Sequence, residues 1–213
     1  YFNLRGWKEV ANKIDNFSGL EENKCRLLVG MHKAPEELLR EYFSSDDPNE
    51  IDNQKANNLK KDLAKKFREQ LTIGVPSEED ERGLRKLSTQ IKHGKVVVKL
   101  FLKHTLHAKL YLAYRNDKIN PVIGFVGSSN LTLAGLAKQG ELNVDVLEQD
   151  AAIKLSKWFE DRWNDRWCIE ISKELAEIID TSWASELPYP PFHIYLKIAY
   201  HLSREARSGL SEF

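Results

Sequence analysis

Five short apolar runs, set among amphipathic helical stretches, limit this chain to a mixed α/β fold. The runs cover residues 26–30, 96–102, 107–114, 122–126 and 142–147. Short β-rich or apolar runs of this length, bounded by turn residues, read as strands. In the last of them Leu142, Val144 and Val146 alternate with Asn143 and Asp145, which predicts one buried and one polar face. Between the strands, residues 1–17 predict a strand end, a turn at Gly6 and a helix. Residues 35–43 predict a helix with Pro35 in its first turn, followed by a polar loop at 44–54. Leu59, Leu63, Phe67 and Leu71 mark one helix face at spacing four. Ser77 and the acidic Glu78, Glu79 and Asp80 supply capping chemistry for a helix over 77–92. A Trp-rich helix over 150–167 and another over 171–180 follow. The proline-rich break at 187–191 then precedes a final helix from Phe192. The expected architecture is a mixed β-sheet flanked by helices on both faces, with a helical C-terminal extension. Residues 1–168 would form the main domain and 169–213 the extension.

Composition narrows the function classes. At 213 residues and 41% hydrophobic content the chain can bury a sizeable core. No run approaches the ~20 apolar residues that a membrane-spanning helix requires. The formal net charge is zero, so any anion site must be built locally. Cys25 and Cys168 stand far apart and form no metal or redox pattern. With no signal peptide, the expected compartment is cytoplasmic. The chain begins at Tyr1 and stops inside an apparent helix, so it reads as a piece of a longer protein.

The residues that carry chemistry are concentrated in the β-rich half. His107 and Lys109 stand two apart in one run, hence on one strand face, about 7 Å apart at the usual rise per residue. Taken alone, the pair also fits an ordinary polar strand face. The turn Gly127-Ser128-Ser129-Asn130 closes the next apolar run. Glycine there permits close backbone approach, and the short polar side chains with their amides form a plausible oxyanion cradle. An ordinary Ser or Asx turn capping a helix has the same residues. Glu141 opens the following strand and could accept a hydrogen bond from His107, fixing its tautomer.

Together these residues resemble the phospholipase D superfamily motif, His-x-Lys-x4-Asp-x6-Gly-Ser-x-Asn. Here Tyr114 occupies the Asp position, and the gap before Gly127 is longer, which predicts an extended hairpin at 115–121. Asn130 followed eleven residues later by Glu141 is similar to the metal-independent restriction endonucleases of that superfamily, in which a Glu on a later strand replaces the Asp. Residues 1–7, 27–31 and 127–136 resemble the phospholipase D-like domain preceding SNF2-type helicase modules, and the 188–197 segment resembles the lead into such a helicase. No Gly-x4-Gly-Lys-Ser/Thr occurs in the chain.

The resemblance implies a metal-independent nuclease acting on DNA, with no cofactor, linked to a helicase module. His107 would be the nucleophile and form a phosphohistidine. Lys109, Ser128 and Asn130 would hold the phosphate oxygens, and Glu141 would orient His107. The family uses two His-x-Lys motifs and this chain has one, so a homodimer sharing one site is expected. A competing expectation is a degenerate module kept for nucleic-acid binding or dimerisation, which Tyr114 favours. Six Lys or Arg residues from Lys55 to Arg68, against one Asp, could touch a phosphate backbone or form a solvated helix face. Trp158, Trp163 and Trp167 are expected to pack rather than stack bases. His104 is expected in an exposed loop. His93, His193 and His201 show no metal-ligand spacing.

Overall fold

The structure, a computed structural model, describes residues 2–20, 23–30, 53–71, 78–104, 106–132, 136, 140–182, 195 and 199. The expected helix over 35–43, the proline-rich break and the final helix lie outside the described residues. Helix α1 (Leu4–Ile14) is followed by β1 (Cys25–Gly30), α2 (Asn53–Leu71), α3 (Glu78–Lys92), β2 (Val96–Phe101), β3 (Leu110–Tyr114), β4 (Val122–Gly127), β5 (Asn143–Val146), α4 (Gln149–Trp163), β6 (Cys168–Glu170) and α5 (Ser172–Asp180). This is the mixed α/β class that the strand and helix pattern predicts. The strands form two three-stranded sheets, ordered β1-β2-β6 and β3-β4-β5. In the first, β1 runs parallel to β2, with Cys25 opposite Val96, and β6 is antiparallel to β2. The second is an antiparallel meander. A single central sheet is not formed, because β1 and β3 face each other as edges. Leu106 crosses directly over Gly30, where a Cβ would lie 2.8 Å from the leucine Cβ.

The core belongs mainly to the first sheet. Leu4, Trp7, Ala11 and Ile14 follow a three-four-three spacing along α1 and are all buried. Leu59, Leu63, Phe67 and Leu71 form the inward face of α2, as their spacing requires. Alternating Val96, Val98 and Leu100 bury one face of β2. β6 and α5 complete this layer, with Leu175, Ala176 and Ile179 buried and α5 packed against α2 and α3. The second sheet is thinly covered. Phe125, Val126 and Val144 remain exposed, and α4 provides the packing partner for β4, with Leu155 lying over Gly124.

Two local departures from expectation have clear causes. Gly6 lies inside α1 rather than in a turn. Asn3 caps the helix by accepting the Gly6 N–H at 2.9 Å. The glycine is needed for contact rather than for φ: a Cβ there would lie 2.3 Å from the Leu131 carbonyl oxygen. β6, only three residues long, is too short for a periodicity signal and exists because β2 has a free edge to pair.

Gln90 is a buried polar side chain with its groups engaged. It accepts the Trp7 indole N–H at 3.1 Å and donates to the Ala11 carbonyl at 2.8 Å and to Asp15 at 2.6 Å. Replacing it by alanine strands a buried indole N–H and removes one of two hydrogen bonds to the Ala11 carbonyl, which keeps the Asp15 N–H at 3.2 Å. Gln90→Ala is expected to lower stability by roughly 2–4 kcal/mol, since a buried group loses its partner without gaining water. A urea titration checks this as a lower midpoint at unchanged slope. A loss within experimental error would mean that this junction tolerates unpaired groups.

Candidate active site

The second sheet positions the candidate residues. Tyr111 lies opposite Phe125 and Leu110 opposite Val126. The ladder extends one step beyond β3, where the Gly127 N–H donates to the Lys109 carbonyl at 3.4 Å. There it stops, because the chain after Gly127 turns aside. Lys109 and His107 therefore enter β3 instead of lying within it, a correction to the expected strand over 107–114. Lys109 is half-buried and His107 exposed.

On the other side, Gly127 lies opposite Asn143. A Cβ at Gly127 would lie 2.2 Å from the Leu142 carbonyl oxygen and 2.3 Å from Asn143 Oδ1, so only glycine fits. The Ser128 N–H donates to the Leu142 carbonyl at 3.0 Å, and the Leu142 N–H donates to Ser128 Oγ at 3.1 Å. With its oxygen so engaged, the Ser128 hydroxyl donates to the Glu141 carboxylate. The expected partner of Glu141 was His107; the carboxylate is held by Ser128 instead, and the His107 ring makes no hydrogen bond among the described residues.

Ser129 is the buried pivot of the turn, 2% exposed. Its hydroxyl accepts from Asn143 Nδ2 at 2.6 Å, its N–H donates to Asn143 Oδ1 at 3.4 Å, and its carbonyl accepts the Tyr111 hydroxyl at 3.0 Å. Burial lifts the Tyr111 phenol above its ordinary value, and the Glu141 charge adds to the lift. The phenol thus stays a donor. Its contribution to stability is complete below the unfolded-state value and is lost as pH rises through the folded-state one. Asn143 and Tyr111 were not singled out from sequence. The only signal was polarity at an alternate position of a short strand, which any solvated face shows.

A cleft of about 1110 Å³ separates the facing edges of β1 and β3. Lys109, Tyr111, Ser129, Asn130 and Asn143 line it. Tyr114 lies five residues along β3 from Lys109, about 16 Å at the usual strand rise. Its hydroxyl bonds Ser156 Oγ at 2.8 Å, and its ring flanks Arg26, which pairs with Glu160 through both guanidinium nitrogens at 3.0 and 2.6 Å. Tyr114 is thus a packing residue between β3 and α4. The hairpin expected at 115–121 is present. The Asn120 and Ile119 N–H groups donate to the Asp117 carboxylate and, with Arg115 paired beside it, hold its carboxyl below the usual range.

Other residues behave as packing or surface groups. Trp163 is buried, stacks on Phe159 and lies under Lys99. His104 is exposed and meets Phe101 edge-on. Lys61, Lys65 and Lys66 are exposed on α2. Cys25 and Cys168 pair with opposite ends of β2, opposite Val96 and Phe101, too far apart for a disulfide. Burial pushes their thiols up to about 12 and about 11.

A mixed α/β chain in which His-x-Lys enters one strand and Gly-Ser-x-Asn leaves the next is a phospholipase D-like domain. The family model described as the PLD-like domain of cardiolipin synthase matches residues 22–163, and the chain belongs to that family. Membership places it in a superfamily that acts on phosphodiesters. No curated protein and no solved structure matches the chain significantly. No helix among the described residues is long and apolar enough to cross a membrane.

Proposed function

We propose that this chain is a metal-independent phosphodiesterase acting on DNA, working within a larger, helicase-like protein. The observation that carries the reading is Lys109 at the entry to β3, its carbonyl accepting the Gly127 N–H of a turn, residues 127–130, held between β3 and β5, with His107 two residues before it in the chain. In this reading a His107 ring nitrogen attacks phosphorus. The P–N bond forms as the bond to the leaving oxygen breaks, giving a phosphohistidine. Lys109, Asn130 and the Ser128 hydroxyl take the non-bridging oxygens. The Ser128–Glu141 bond is then the resting arrangement. A phosphate that takes the serine hydroxyl releases the carboxylate to orient His107. Water cleaves the P–N bond in the second step and restores the histidine.

Protonating the leaving oxygen requires a second acid, and a second copy of the chain supplies His107 of its own across a two-fold axis. Leu142, Val144 and Val126 support this arrangement. They are 76%, 56% and 39% exposed; Val126 on the central strand β4 pairs with Val144 on the edge strand β5, and Leu142 lies just before β5, beside the turn. Such a patch fits a protein interface better than solvent. Val144→Lys is expected to convert a dimer to a monomer in light scattering, with hydrolysis reduced about 100-fold or more as the shared site comes apart. A dimer that persists with full activity would place the interface elsewhere.

The test of the reading is cleavage of labelled DNA in excess EDTA, beside a phospholipid diester under the same conditions. DNA cleavage that survives chelation supports it. Turnover of the lipid alone would reassign the substrate class. The second reading, a module that binds nucleic acid without cleaving it, draws on the Glu141–Ser128 contact, which leaves His107 unoriented. It predicts DNA binding with no turnover of either substrate.

A further inference from the structure

We propose that Asn143 is a positioning residue that holds the anion-binding turn in its working shape, a role that rests on the phosphodiesterase reading above. The Ser129 N–H belongs to the peptide joining residue 128 to 129, and the Ser129 carbonyl to the peptide joining 129 to 130. Asn143 Oδ1 takes the first at 3.4 Å, and the Tyr111 hydroxyl takes the second at 3.0 Å. Both peptide planes that carry Ser128 and Asn130 are therefore pinned. A third contact, Asn143 Nδ2 to Ser129 Oγ at 2.6 Å, fixes the pivot itself.

The clamp is needed because the β4 ladder ends at Gly127, leaving residues 128–130 without regular strand pairing. Donors that stabilise developing charge work only when their geometry is set beforehand. An amide suits the position because it donates with one atom and accepts with the other while carrying no charge. Aspartate could keep contact with Ser129, whose hydroxyl would then donate. It would also place a second carboxylate beside Glu141, at the mouth of a site meant for an anion.

The experiment follows hydrolysis of bis(p-nitrophenyl) phosphate in EDTA and amide hydrogen exchange at residues 127–130. Asn143→Ala is expected to lower kcat roughly 30-fold with KM within about threefold, the signature of a contact that matters in the transition state. Asn143→Ser, too short to reach both Ser129 groups, is expected to behave alike. In a Ser129→Ala background the same change should cost clearly less than in wild type, because the hydroxyl contact is already gone and only the Ser129 N–H contact is left to lose. Ser129 exchange should quicken about tenfold in Asn143→Ala with an unchanged melting temperature. Multiplicative losses in the double variant, or a kcat within threefold of wild type, would overturn the role. If wild type and His107→Ala are equally inactive, the phosphodiesterase reading fails. Exchange at Ser129 then still decides the clamp, and unchanged exchange sinks it.

Discussion

His107→Ala is expected to lower metal-independent phosphodiester hydrolysis by about 10⁴-fold or more, the scale seen when a covalent nucleophile is removed. The side chain is exposed and hydrogen-bonds nothing among the described residues, so its loss disturbs no packing. Stability should therefore stay within about 0.5 kcal/mol of wild type. Lys109, Ser128 and Asn130 remain in the variant, so phosphate should still bind. The combination of retained fold, retained anion binding and lost turnover separates a nucleophile from a structural histidine. Rapid acid-free quenching of wild type during turnover should trap phosphate on the protein, and the variant should trap none. Activity within tenfold of wild type would remove His107 from the nucleophile's role.

Gly127→Ala should damage both fold and site. The new methyl would lie 2.2 Å from a main-chain oxygen and 2.7 Å from the Asn143 Cα, so the β4 and β5 backbones must separate. Neither neighbour is a flexible side-chain end that could move aside. The expected cost is about 3 kcal/mol, at the upper end for overpacking against backbone. Displacing the turn by about 1 Å should also cut hydrolysis about 100-fold. Gly140 provides the control, since a Cβ there meets nothing within 4 Å. Gly140→Ala should be neutral in both a urea titration and the hydrolysis assay. Equal behaviour of the two variants would mean that the strand junction at Gly127 yields more easily than its contacts indicate.

Much of this protein is legible without coordinates. The spacing of Leu59, Leu63, Phe67 and Leu71 determines which face of α2 is buried, because 3.6-residue periodicity leaves an apolar stripe one place to go. The alternation of Val96, Val98 and Leu100 does the same for β2. The sequence also puts Ser128 and Asn130 in a turn after one strand and Glu141 at the approach to the next, but it runs a strand through His107 and Lys109, which the structure places before β3. What it leaves open is pairing across the chain. That Glu141 meets Ser128, that Tyr114 turns to α4, and that Gly6 is dictated by Leu131 all depend on contacts between segments far apart in sequence. The clamp on Ser129 is of the same kind. Asn143 and Tyr111 come from different strands, and only the register of β3 against β4 and of β4 against β5 brings both to one serine. Local pattern determines the buried faces of α2 and β2 but not that of β5, where Leu142 and Val144, expected to be buried, are exposed. The geometry of the site follows from strand register, which no single segment encodes.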